Sequence, residues 1–234
     1  MTEENSRLFG HLKKLRIISQ YGSYWNRLEA YEESEQRITI NNKGQVWITR
    51  YYRAPYMLNA DQLLSKEYLR VSPEATIRIM KTAEDCFVHY EHETIHDAQM
   101  WYAYLTNTDG IEFATDGSVD QEKEAGMYRL TEVIQKELGK TDLLVLGTYI
   151  EDYDEEEPVI DQQAISFEEL MQRAEENIHA DRDQRIEIYR TLEKCFFECG
   201  YDEENRMILY RMMDRYVTSL EAENPFKQSK KRTT

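Results

Sequence analysis

From Leu15 to Arg53, apolar and polar positions alternate with a period of two around turn residues, the pattern of half-buried strands. The alternation predicts a meander of Leu15–Gln20, then Tyr24–Glu33 after Gly22, then Arg37–Ile40 and Gln45–Tyr52. Asn41-Asn42-Lys43-Gly44 joins the last two, because Asn and Gly accept the positive φ of a tight hairpin. Tyr68–Val71 reads as one more strand, ending at Ser72-Pro73-Glu74. There the Ser oxygen can accept from free amides, Pro presets φ and Glu meets the positive helix end, so a helix begins. Its residues Ile77, Met80, Ala83, Phe87 and Tyr90 recur at helical spacing and are expected to face the sheet. From Met100 the period returns to two: Trp101, Ala103 and Leu105 alternate with Tyr102, Tyr104 and Thr106. Asn107-Thr108-Asp109-Gly110 then turns the chain into Ile111–Ala114. A helix over 122–138 and the apolar run Leu143–Leu146 complete an α+β domain over residues 1–150, a mainly antiparallel sheet with packed helices.

Glu151, Asp152, Asp154, Glu155, Glu156 and Glu157, followed by Pro158, cannot share a core, so residues 151–165 read as an acidic linker. Ser166-Phe167-Glu168-Glu169 matches a capping box, and helices are predicted over Phe167–Ile178, Arg182–Cys199 and Glu203–Leu220. Gly200 stops the second and Asp202 opens the third. The result is a small all-α domain of about three helices over 166–221, with a basic, flexible tail over 222–234. In the last helix Met207, Tyr210, Met213, Tyr216 or Val217, and Leu220 form a stripe read as a core face, which also allows a homodimer.

The chain of 234 residues is long enough to bury a sizeable core, and 41% hydrophobic and 12% aromatic residues exclude a disordered chain. The net charge of −16 opposes direct binding to nucleic acid, which needs a basic stripe, and favours a basic protein partner. From Glu151 onward 22 acids stand against 12 bases, net −10, leaving −6 for the first 150 residues. The acidic segment 151–157 is therefore the candidate binding surface. Three cysteines, Cys86, Cys195 and Cys199, form no paired framework, which predicts a reducing, cytoplasmic setting, and no apolar run approaches the ~20 residues of a membrane span. The four-residue spacing of Cys195 and Cys199 reads as buried thiols.

One motif carries catalytic chemistry. His92-Glu93-Thr94-Ile95-His96 matches His-Glu-x-x-His, in which two imidazoles one helical turn apart hold zinc and the Glu between them serves as general base. His89 shares that face and Asp85 lies one turn before it. A third protein ligand is required, and only Glu132 or Glu137 downstream can be nominated. Asp97 follows the second His, and on the helical wheel the histidines lie opposite Phe87, toward solvent. The preferred reading is a hydrated polar helix face with no cofactor; the alternative is a zinc-dependent hydrolase with His92, His96 and His89 as ligands. His11 and His179 read as surface histidines. No phosphate-binding Gly-rich loop, nucleophile elbow or Cys-x-x-Cys pair occurs. Tyr51-Tyr52, Trp101-Tyr102 and Tyr104 have no run of Lys and Arg beside them and read as sheet cores and sheet faces rather than stacking platforms.

Four segments carry a resemblance: Asn42-Lys43-Gly44-Gln45-Val46-Trp47, Val71-Ser72-Pro73-Glu74-Ala75, Met100-Trp101 through Asp109-Gly110, and Asp142-Leu143-Leu144-Val145. Over residues 15–146 the chain resembles small α+β proteins of Gram-positive bacteria and their mobile elements. The resemblance implies no catalytic residue, and its pattern does not require histidines at His92 and His96. The function expected is that of a noncatalytic, intracellular interaction or regulatory protein. A narrower expectation is an inhibitor encoded by a phage or mobile element, its acidic surface standing in for nucleic-acid phosphates.

Overall fold

The computed structural model describes residues 11–21, 28–58, 60–88, 99–118, 125–146 and 166–228. The fold is α+β, with the strands in the N-terminal half and most of the helices later. The described strands are β1 (Leu12–Gln20), β2 (Glu33–Asn41), β3 (Gln45–Tyr52), β4 (Gln62–Arg70), β5 (Met100–Asn107) and β6 (Glu112–Ser118). They form one antiparallel sheet in the order β4-β3-β2-β1-β5-β6. The helices are α1 (Pro73–Val88), α2 (Ala125–Leu138), α3 (Phe167–Asn177), α4 (Arg182–Glu198), α5 (Glu203–Ala222) and the short α6 (Pro225–Gln228).

Two compact units share these residues. The first holds the described residues through Leu28, Glu33–Tyr52 and Gln62 to Leu146. Its core is the predicted inner face of the alternation: Leu15 and Ile17, Ile38 and Ile40, Val46 and Ile48, and Trp101, Ala103 and Leu105 lie on one side of the sheet. Ile79, Ala83 and Phe87 of α1 and Leu130 and Ile134 of α2 cover them. Ile77, expected in that contact, is instead 65% exposed, because the buried stripe of α1 runs through Ala75, Ile79, Met80, Ala83 and Phe87. The run Leu143–Leu146 is buried, and the loop holding it is pinned by side chains. Gln36 accepts from the Leu144 amide at 2.8 Å and donates to the Asp142 carbonyl at 3.1 Å, while the Ser19 hydroxyl donates to the Val145 carbonyl. Val145 adopts a left-handed φ of 48°, rare for a β-branched residue, and this network over-determines it.

The Asn41 to Gly44 turn forms as predicted. Asn41 accepts from the amides of Lys43 and Gln45, and Gly44 takes a φ of 74°. β2 begins only at Glu33, so the strand expected over Tyr24–Glu33 does not extend through Leu28–Glu32, and residues 22–27 lie outside those described. β4 starts six residues before Tyr68, the earlier start of the expected strand, since its edge position leaves Leu64, Lys66, Tyr68 and Arg70 exposed and weakens the alternation.

The second unit joins the helices α3 to α6 with two short segments of the N-terminal half, Glu29–Glu32 and the described residues of Arg53–Asp61. The capping box at Ser166 and Glu169 is present, and Asp181 and Asp202 cap α4 and α5. Cys199 ends α4, and Gly200 follows with φ 63°. The buried face of α5 is Leu209, Met212, Met213, Tyr216, Val217 and Leu220. Met207 and Tyr210, expected in that face, are exposed. Arg185 is buried and gives one nitrogen to both Glu223 oxygens, at 2.6 and 2.7 Å. Arg190 donates to the Ala30 carbonyl at 2.9 Å, and the Tyr31 ring meets Tyr189 edge-on at 5.7 Å. Among the described residues no helix is long and apolar enough to cross a membrane.

Candidate interaction site

The residues nominated from the sequence for zinc chemistry, His89, His92, Glu93 and His96, lie outside the described residues, as does the acidic segment from Glu151 to Glu157. The described neighbours of the motif are placed. Asp85 is exposed on α1, Glu132 is exposed on α2, and Glu137 is held by Arg78 through two hydrogen bonds of 2.8 and 2.7 Å. The hydrogen bond from Arg78 keeps the Glu137 carboxyl below its ordinary range, and that carboxylate is already committed to a guanidinium. Among the described residues no group of three His, Cys, Asp or Glu side chains is arranged to hold a metal. His11 and His179 are exposed, as expected.

Cys86 is buried, but Cys199 is exposed and Cys195 half-buried, which corrects the reading of the latter pair as buried thiols. The spacing placed them on one helix face, but α4 ends at Glu198 and leaves Cys199 on its open end. Burial, then the neighbouring Cys199, pushes the Cys195 thiol up to about 11, so it stays protonated and is a poor nucleophile.

The distinctive surface of the second unit surrounds the junction of α4 and α5. Phe196, Tyr201, Glu203, Arg206, Met207 and Tyr210 line a depression of about 450 Å³. The Arg206 guanidinium lies over the Phe196 ring, 4.8 Å from its centroid, and Phe167 meets Tyr201 at 5.2 Å. Beside it the Tyr56 ring packs edge-on against Phe197 at 4.9 Å, and Phe196 meets Phe197 at 5.2 Å. Phe197 and Tyr56 are each 55% exposed, and Met207, Ile208 and Tyr210 are also exposed.

Glu193 fixes this edge. Its Oε1 accepts from the Tyr56 amide at 2.8 Å and from the Tyr189 hydroxyl at 2.9 Å. Burial and then the Glu193 charge raise the Tyr189 phenol, which therefore keeps the proton that it donates. Glu198, Asp202, Glu203 and Glu204 are exposed around the α4–α5 junction. Chemically, the arrangement offers an apolar seat with rings at fixed angles and a negative rim; it presents no poised base or nucleophile.

Sequence reasoning missed this site because a helical stripe has no sign for inside or outside. Met207, Tyr210 and Met213 are spaced three apart, a series that drifts about 60° around a helix at each step, so its first members fall outside the buried stripe. Tyr56 comes from a segment far away in sequence, so no local pattern could have placed it. No protein-family model and no curated protein matches the chain.

Proposed function

We propose that the protein is a noncatalytic interaction protein that uses the α4–α5 surface of its helical unit to bind a protein partner. The exposed ring cluster at a 450 Å³ depression carries this reading. Large rings left open in a contiguous patch are costly in water unless something covers them. An aromatic side chain covers about 150–250 Å², so burying the open half of Phe197 is worth about 2.5 kcal/mol at ~25 cal/mol per Å². That magnitude belongs to an interface hot spot.

The acidic rim sets the partner's chemistry. Within residues 166–228, 15 acids oppose 9 bases, so an apolar anchor flanked by Lys or Arg is favoured over one flanked by acids. The test is affinity capture from a lysate of the source cells with wild type, Phe197→Asp and Tyr210→Asp, at low and high salt. The expected result is a basic protein held by wild type, weakened by salt and lost from both variants. Identical captured proteins for all three chains under both conditions would remove the support for this reading.

A further inference from the structure

We infer that the face of the six-stranded sheet opposite α1 and α2 binds single-stranded nucleic acid, with Trp47, Tyr68 and Tyr104 as stacking platforms and Arg16 as the central phosphate contact. Strand register brings these residues into line. Tyr68 pairs with Trp47, Trp47 with Thr39, Thr39 with Arg16, and Arg16 with Tyr104, one row running across five strands. All of them alternate with core residues and so point away from α1 and α2. Trp47 is 40%, Tyr68 52% and Tyr104 42% exposed. Trp47 and Tyr68 meet at 5.6 Å, forming one broad platform. Three strand spacings of ~4.8 Å put Tyr104 about 14 Å from Trp47, and Arg16 lies between them with its guanidinium 5.6 Å from the Tyr104 ring.

Charge identifies the occupant. On this face Lys14, Arg16, Arg37, Lys66 and Arg70 oppose Glu35, Glu112 and Asp116. Glu35 is already paired with Arg37, whose guanidinium lies 4.5 Å from the Tyr51 ring, and the other two acids sit on the edge strand β6. The face is therefore locally positive on a chain of net charge −16, the inverse of what a solvated surface of this protein would carry by default. Thr39, Thr49, Asn41 and Gln45 fill the positions between the rings. A protein-binding core would be apolar there and depleted of charge, whereas rings separated by hydrogen-bonding and cationic side chains suit bases and phosphates. The face of a sheet admits splayed bases, which a duplex cannot offer. Strand register thus brings Lys14 and Arg16 of β1 and Arg37 of β2 into the same surface as the rings of β3, β4 and β5.

The test is fluorescence anisotropy of the full chain with labelled oligouridylate and oligothymidylate of about 12 nucleotides, at about 50 and about 200 mM salt. Binding of either probe in the micromolar range at low salt is expected, with loss at the higher salt and quenching of tryptophan emission. Tyr104→Ala and Arg16→Ala are each expected to weaken it about tenfold, and Trp47→Phe to remove the quench. Arg16→Ala should also reduce the salt slope by about one. Preference between the probes then reports whether a 2′-hydroxyl is read. Four results would overturn the inference: no anisotropy change up to about 100 µM protein; binding indifferent to Tyr104→Ala and Arg16→Ala; a dimer in light scattering that Tyr104→Ala splits; or equal competition by heparin with no quench. Both substituted side chains are half-open on the sheet surface, and an unchanged thermal melt confirms that loss of binding is not loss of fold.

Discussion

Gly44 offers the most direct test of how the sheet end is held. A Cβ built there would lie 2.6 Å from the Val71 carbonyl oxygen and 2.9 Å from the Thr76 hydroxyl oxygen. The first contact is with backbone that cannot swing aside, because the Val71 amide also donates to the Gly44 carbonyl at 2.9 Å and Ser72 opens α1 directly after it. Gly44→Ala therefore combines a left-handed residue, costing about 1–2 kcal/mol, with a displacement of packed backbone, costing about 1–3 kcal/mol. Reduced freedom of the unfolded chain returns about 0.4–1 kcal/mol. The net expectation is a loss of about 2–3 kcal/mol. Gly110→Ala is the control: its φ is 84°, but nothing lies within 4 Å of the added Cβ, so only the conformational part, about 1 kcal/mol, applies. Urea titration followed by tryptophan emission reports on this unit, since Trp101 is fully buried in its core. Equal losses for the two variants would refute the claim that steric contact with Val71 pins the hairpin.

Three further outcomes are expected. Tyr216→Phe removes a buried hydrogen bond of 2.7 Å to the Ala174 carbonyl and should destabilise the helical unit by about 1–2 kcal/mol, measured by thermal melting; no change would mean that the hydroxyl contributes nothing to holding α3 on α5. Stability should fall at both ends of the pH scale. Arg78 and Arg215 hold Glu137 and Glu175 below their ordinary range, so the stability these carboxylates supply is present above about pH 4.3 and is lost as pH drops through their lowered values. The raised Cys195 thiol and Tyr216 phenol contribute below their ordinary values and lose that contribution as pH rises through about 11 and about 12; a melting temperature flat from pH 3 to pH 12 would contradict both signs. Finally, treatment with a strong chelator is expected to leave the melting temperature unchanged. Near-stoichiometric zinc in the purified protein, lost with His96→Ala, would instead favour the hydrolase reading.

The parts of the fold legible in the sequence were those whose cause is local. The Asn41 to Gly44 turn, the Ser166 capping box and the Asp202 cap are each set by a few adjacent side chains, and each is found at the expected residue. The inner faces of β1, β3 and β5 followed from a period of two with one side buried. Helix faces were less legible: Ile77 and Met207 begin series spaced three apart, which drift about 60° around the helix at each step, so the first member falls outside the buried stripe. The aromatic surface of the helical unit depends on Tyr56 meeting Phe197, a contact between residues 141 apart, and the row of rings on the sheet face opposite α1 and α2 depends on strand register. Neither juxtaposition leaves a mark in any one stretch of chain.

The path of the backbone has a practical consequence for dissecting the protein. Residues 29–32 and 53–61 belong with helices that begin at Phe167, so the two bodies interleave along the chain. A fragment beginning near residue 152 would retain every long helix of the second body yet deprive Arg190 of the Ala30 carbonyl, Tyr189 of the Tyr31 edge and Glu193 of the Tyr56 amide. Truncation at the acidic stretch is thus a poor way to isolate the proposed binding surface. A transplant of that surface into another scaffold has to carry surrogates for Tyr31 and Tyr56 as well.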